Sequence, residues 1–203
     1  MSYLKFDIFK LYRFFHSGFC LKWTGATFSG FLFSLLFIEI GQRGELKTVD
    51  AMIGGTIIGL TQGLVLSQFF PNTWLWIFVN LMAWGLLAGS HIGVMGWVAP
   101  NSMFLNVRLM YGAIFGAMVG LWLGLWQWII LRNYFYQAWH WLWIMLISWG
   151  LGLSIGWGLG GILRSLTRLF IGEVIGLSVT WLIVGLITAL GMIALSQTNL
   201  SID

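Results

Sequence analysis

The chain is poor in almost everything that reacts. Its 203 residues include one cysteine, two prolines, three histidines and six acids, and only 8% are charged. A lone Cys20 excludes an intramolecular disulfide and a cysteine-built metal centre. His16, His91 and His140 stand far apart without acidic neighbours, and no helix pair offers histidines to a haem, so neither metal nor cofactor is expected. An average soluble domain has about a quarter of its residues charged, and a chain this apolar has no soluble way to hide its surface. Ionisable groups are nearly missing from the apolar runs too, where proton-coupled transporters and pumps place them.

What the chain has instead is apolar length, glycine and tryptophan: 59% hydrophobic residues, 27 Gly and 14 Trp. A spanning helix needs about 20 apolar residues. Six such runs are present: Trp23 to Ile40, Ala51 to Phe70, Trp74 to Val98, Val107 to Leu131, Trp139 to Leu163 and Phe170 to Leu195. The expected fold is an all-α integral membrane protein of six transmembrane helices, with residues 23–195 as the membrane domain and 196–203 as a short polar tail. Residues 1–22 lack a continuous apolar stretch and a small-residue cleavage site, so they are read as retained. Within them Lys5, Lys10, Arg13, His16 and Ser17 fall on one helical arc and Leu4, Ile8, Leu11, Phe14, Phe15 and Phe19 on the other. That pattern predicts an amphipathic helix lying in the membrane surface. The net charge of +4 lies partly in this arm, which suits anionic lipid head groups rather than nucleic acid.

The segment from Gly59 to Gly85 aligns without gaps on that from Gly124 to Gly150 at an offset of 65 residues, matching Gln62 with Gln127, Leu66 with Leu131, Trp74 with Trp139 and Trp84 with Trp149. Each unit holds two helices, so the copies keep one topology about an axis along the membrane normal. Helix 6 reads as a third first-helix, with Gly185 matching Gly120, and helix 1 as its partner. Gly124, Gln127, Trp128, Leu131 and Arg132 spell the signature G-x-x-Q-W-hydrophobic-hydrophobic-L-R. The first copy has Gly63 and Ser67 at the Trp and Arg places, and the third has Met192 for Gln. Over roughly residues 50 to 195 the chain resembles uncharacterised bacterial multi-spanning membrane proteins with tandem glycine-ladder repeats of this kind. The resemblance implies architecture and no activity.

Glycines four apart recur as ladders: Gly55, Gly59 and Gly63; Gly85, Gly89 and Gly93; Gly112, Gly116, Gly120 and Gly124; Gly152, Gly156 and Gly160; Gly172 and Gly176. Such ridges let helix backbones approach closely. Gln62 and Gln127 share the ladder face and point into the bundle, either as clamps between helices or as the lining of a polar path. Glu173 falls in the first turn of helix 6, where the helix dipole favours a carboxylate, with Arg164 and Arg168 just before it; Glu39 sits at the end of helix 1. Ser154 and His91 are the remote option of an intramembrane serine protease, similar to rhomboid-type enzymes but with the order of the two residues reversed. Tryptophans gather towards the N-terminal face. Trp74, Trp76, Trp128, Trp139, Trp141 and Trp143 are expected as interfacial anchors or as a contact surface for another membrane subunit.

These features predict a non-enzymatic accessory, assembly or scaffold subunit that packs against lipids and against other membrane proteins or its own copies. The alternative is a small-solute transporter or channel with a path lined by Gln62, Gln127, Glu173 and His91. A wet central pocket around the glutamines would mark transport; glutamines bonded to neighbouring helices would mark scaffolding. The expected location is a bacterial inner or thylakoid-type membrane. Lys and Arg divide five against five between the two faces, and the amphipathic arm tips the reading towards a cytoplasmic N-terminus.

Overall fold

The computed structural model describes residues 18–41, 46–90 and 93–200, with side chains described up to residue 197. The predicted arm over residues 1–22 lies outside this range for all but its last five positions, and so do Arg43 and His91. Among the described residues there are six α-helices and no strand: α1 (Phe19–Ser34), α2 (Thr48–Leu66), α3 (Trp74–Gly89), α4 (Leu105–Leu131), α5 (His140–Thr167) and α6 (Ile171–Leu200). A 3₁₀ turn at Met95–Trp97 stands between α3 and α4.

Four helices are long and apolar enough to cross a membrane, Thr48–Leu66, Leu105–Leu131, His140–Thr167 and Ile171–Gln197. By length and composition that is the make-up of a membrane protein. The other two are shorter than their apolar runs, at 16 residues each. At about 1.5 Å per residue such a helix reaches only ~24 Å, short of a hydrocarbon core of about 30 Å. The first run was expected to stay helical to Ile40, yet α1 ends at Ser34 and unwinds through turns that close on Leu32, Phe33 and Ser34, leaving Glu39 exposed in the connection beyond. The third was expected to reach Val98, yet α3 ends at Gly89 and Gly93 takes φ +95°, which only glycine adopts at no steric cost. Hydropathy reads burial and cannot tell a buried loop from a helix. Residues 93–99 are apolar because they are packed inside protein.

The six helices form a closed circle in chain order: each packs on its neighbours in sequence, and α6 returns onto α1. α4 lies closest to α5. A Cβ placed on Gly112 would stand 2.6 Å from the Leu153 carbonyl oxygen, and one on Gly116 or Gly120 would run into the backbone of Trp149 or Met145. α5 and α6 cross in the same way at Gly156, Gly160, Gly172 and Gly176. The ladder expected along α3 is different. Gly85 meets only the flexible side chain of Met52, Gly89 meets nothing within 4 Å, and Gly93 lies outside the helix.

The segment from Gly93 to Ser102 folds into the end of the circle away from Phe19. Val94, Trp97 and Ala99 are fully buried, and the Ala99 amide donates to the Gly41 carbonyl at 2.9 Å. Backbone without a helix is tolerated at depth only where protein satisfies it. Here the Trp181 indole donates to the Gly96 carbonyl (3.0 Å), the Trp157 indole to Val98 (2.9 Å), and Arg108 to Pro100 (3.1 Å) and Ser102 (2.6 Å).

Candidate functional site

Two polar groupings lie inside the bundle. The first is built on the glutamines. Gln62 on α2 accepts from the indole of Trp76 on α3 at 3.0 Å and donates to Thr27 Oγ1 on α1 at 3.1 Å. Gln127 on α4 accepts from the indole of Trp141 on α5 at 3.0 Å and donates to Asn80 Oδ1 on α3 at 3.1 Å. Asn80 in turn donates to the Trp76 carbonyl at 2.8 Å. In each case the glutamine joins the helix after it to the helix before it. On α6 Met192 cannot accept a hydrogen bond of this kind, and Thr188, one turn earlier, takes the indole of Trp23 on α1 at 2.9 Å. Thr188 was not among the expected site residues.

These side chains surround a central cavity with ≈ 20 Å³ open to a water molecule, whose wall includes Gln62, Asn80, Gln127, Thr188, Trp23 and Trp149. Beyond it Trp84, Trp97, Trp149 and Trp181 pack ring against ring, with centroids 4.8 to 6.1 Å apart. A Cβ on Gly96, in the 3₁₀ turn, would lie 3.0 to 3.4 Å from Trp84, Trp181 and Trp149, so the inserted segment rests on this cluster. Trp149 Nε1 and Thr24 Oγ1 are the buried side-chain polar atoms without a hydrogen-bond partner among the described residues.

The second grouping is a buried ion pair. Glu173 stands in the first turn of α6 as expected, but its main partner is Arg108 of α4, which holds both carboxylate oxygens at 2.7 and 2.9 Å. Arg164 adds a contact at 3.4 Å, and Arg168 is exposed, in a left-handed conformation at the end of α5. Arg108 is 0% and Glu173 1% exposed. The remaining donors of Arg108 reach the carbonyls of Trp157, Pro100 and Ser102, so all five guanidinium hydrogens are engaged. Gly160 and Gly161 make the room: a Cβ there would lie 2.8 Å from Glu173 Oε2 and 2.7 Å from Arg108 Cδ. Arg108 was not among the expected site residues; it lies 65 residues before Glu173, the same offset that aligns Gln62 with Gln127 in the sequence.

The tryptophans divide. Trp74, Trp139 and Trp143 are more than half exposed and Trp128 half-buried, with the Arg132 guanidinium 5.3 Å above its ring. Trp76 and Trp141 are 2% and 0% exposed and cannot belong to a rim. Two residues turn a helix by about 200°, so Trp74 and Trp76 face opposite ways, as do Trp139 and Trp141. Ser154 donates to the Leu109 carbonyl on α4 at 2.9 Å, an ordinary contact between helices. His140 stacks on Trp139, its centroid 3.9 Å away. At the connection between α4 and α5, Tyr134 donates to the Pro71 carbonyl at 3.0 Å, and burial pushes its phenol above the usual value.

No family model, no curated protein and no solved structure matches the chain.

Proposed function

We propose that this protein is a non-enzymatic membrane scaffold or assembly subunit, made rigid by its polar interior and presenting its outer tryptophans to other membrane proteins or to a second copy of itself. One observation carries the reading. Both glutamines hold neighbouring helices through both ends of their amides. The room left between them, ≈ 20 Å³, falls far below the roughly 300 Å³ at which ligand pockets begin. A transport path would keep such groups free to exchange partners with a solute.

The architecture behind this reading is a three-fold pseudo-repeat of helix pairs, α2 with α3, α4 with α5, and α6 with α1, in which all six helices cross the membrane. Equivalent contacts support it: Gly59 and Gly124 face Ile77 and Leu142, and Gly55, Gly120 and Gly185 face the second helix of their own pair one turn away. Glycine-ladder packing joins the pairs most tightly in α4 and α5. The short helix α3 completes its crossing with the buried segment from Gly93 that follows it, and α1 with the turns beyond Ser34, of which Ile38 is buried. The N-terminus lies on the cytoplasmic side of a bacterial inner or thylakoid-type membrane, with the basic arm on anionic lipid.

The test is purification from native membranes in mild detergent. A membrane protein or a second copy retained in fixed stoichiometry is the expected result. A chain that emerges alone, or with a small solute that is lost on replacing Gln62 and Gln127 by leucine, overturns the scaffold in favour of transport.

A further inference from the structure

The central cavity has a property that the clamp alone does not explain. Its wall contains Trp149, 1% exposed, whose indole N–H has no acceptor among the described residues. Buried donors in native proteins nearly always find a partner, and ordered water supplies it where protein does not. Among the described residues, each amide nitrogen of Gln62, Asn80 and Gln127 also gives only one of its two hydrogens away. Their oxygens accept one bond each and keep a second lone pair.

Size, polarity and charge narrow the occupant. The ≈ 20 Å³ open at the centre exceeds the roughly 10–15 Å³ that one water requires and leaves no space for an organic solute. The wall residues include no ionisable side chain, so an anion would bring an uncompensated charge to the middle of the bundle. We propose that the cavity is a hydration site for one water molecule, which accepts from Trp149 Nε1 and from a neighbouring amide and donates to two of the three side-chain oxygens of the Gln62, Asn80 and Gln127 cluster.

The experiment is magnetic resonance on the full chain, labelled at its tryptophan indole nitrogens and held in lipid bilayers. The Trp149 signal is assigned by its loss in Trp149→Phe, or in Trp149→Tyr if the first variant does not fold. The expected result is direct magnetisation transfer from water to the Trp149 indole proton, at a hydrogen-bonded chemical shift that stays fixed when chloride is exchanged for bromide. An indole proton shifted upfield with no transfer from water would place the N–H against the ring of Trp84 or Trp181 and overturn the site. A signal that follows the halide would also overturn it, by making the occupant an anion.

Discussion

Arg108 and Glu173 define what a single residue contributes to this molecule. Withdrawing two charges from water is costly, and the pair is retained only because every donor of Arg108 is engaged and the carboxylate is held at both oxygens. Removing one partner leaves the other buried without compensation. Arg108→Ala and Glu173→Ala should each destabilise the fold by about 3–5 kcal/mol, while the double replacement costs clearly less than their sum. Reversible unfolding in mixed micelles checks this, and additive losses would show that the two residues do not act as a pair. The glutamines follow a milder rule. Gln127→Leu takes the acceptor from the Trp141 indole and the donor from Asn80 Oδ1 and should cost about 1–3 kcal/mol, whereas exposed Gln68, which accepts from Lys22 at 3.4 Å, should tolerate leucine with a loss near zero. The inward direction of the glutamines was legible from their spacing after the ladder glycines. Their partners were not, because a hydrogen bond between residues 35 or 47 apart has no local trace in a sequence.

At the scale of the helix, glycine spacing alone does not fix packing. The ladders of α3 and α4 look alike in sequence, yet the glycines of α4 face the backbone of α5 while Gly89 faces open space. Gly116→Ala must push α4 off α5, since the new methyl meets the carbonyl of Trp149, and should cost about 1–3 kcal/mol. Gly89→Ala meets nothing and should be neutral or gain up to about 1 kcal/mol from helix propensity. Thermal unfolding of the two variants side by side separates them, and equal effects would mean that the closeness of α4 and α5 is unimportant. Element identity was read well for α2, α4, α5 and α6, where apolar run and helix nearly coincide. It failed at the ends of α1 and α3, where the apolar residues continue into non-helical chain, turns with exposed Leu36 and Phe37 after α1 and a buried segment after α3. The tell was present in Gly89, Ser90 and Gly93, three breakers within five residues, although their apolar neighbours outweighed them.

The whole molecule separates its tryptophans into two populations with different work. Eight of the 14 are buried: Trp23, Trp76, Trp84, Trp97, Trp141, Trp149, Trp157 and Trp181. All eight have their ring packed against another tryptophan or their indole bonded to a side chain or to the inserted segment, and Trp149 lines the cavity together with Trp23, Trp84, Trp141 and Trp181. Composition could not distinguish them from an interfacial belt, because depth along a helix is visible in sequence but the direction of one indole emerges only from helical phase. The outer set is Trp74, Trp139 and Trp143, the first two at the starts of α3 and α5 and the third one turn further along α5. If recognition lies in this rim and stability in the interior, the two can be damaged independently. Replacing Trp74, Trp139 and Trp143 together by leucine removes outward-facing indoles and the stacking of Trp139 on half-buried His140 but no fully buried ring, so unfolding should shift by less than about 0.5 kcal/mol for each substitution. The same triple variant should lose its co-purifying subunit or its self-association, as removal of tryptophan hot spots does at protein interfaces, with losses of about 2 kcal/mol or more per residue. Replacing Trp76 and Trp141 should do the reverse, unfolding the bundle through Gln62 and Gln127. Parallel affinity capture and unfolding of the two variants decides the matter: a rim variant that keeps its partner in full would leave those tryptophans as lipid anchors and shift the search to another face.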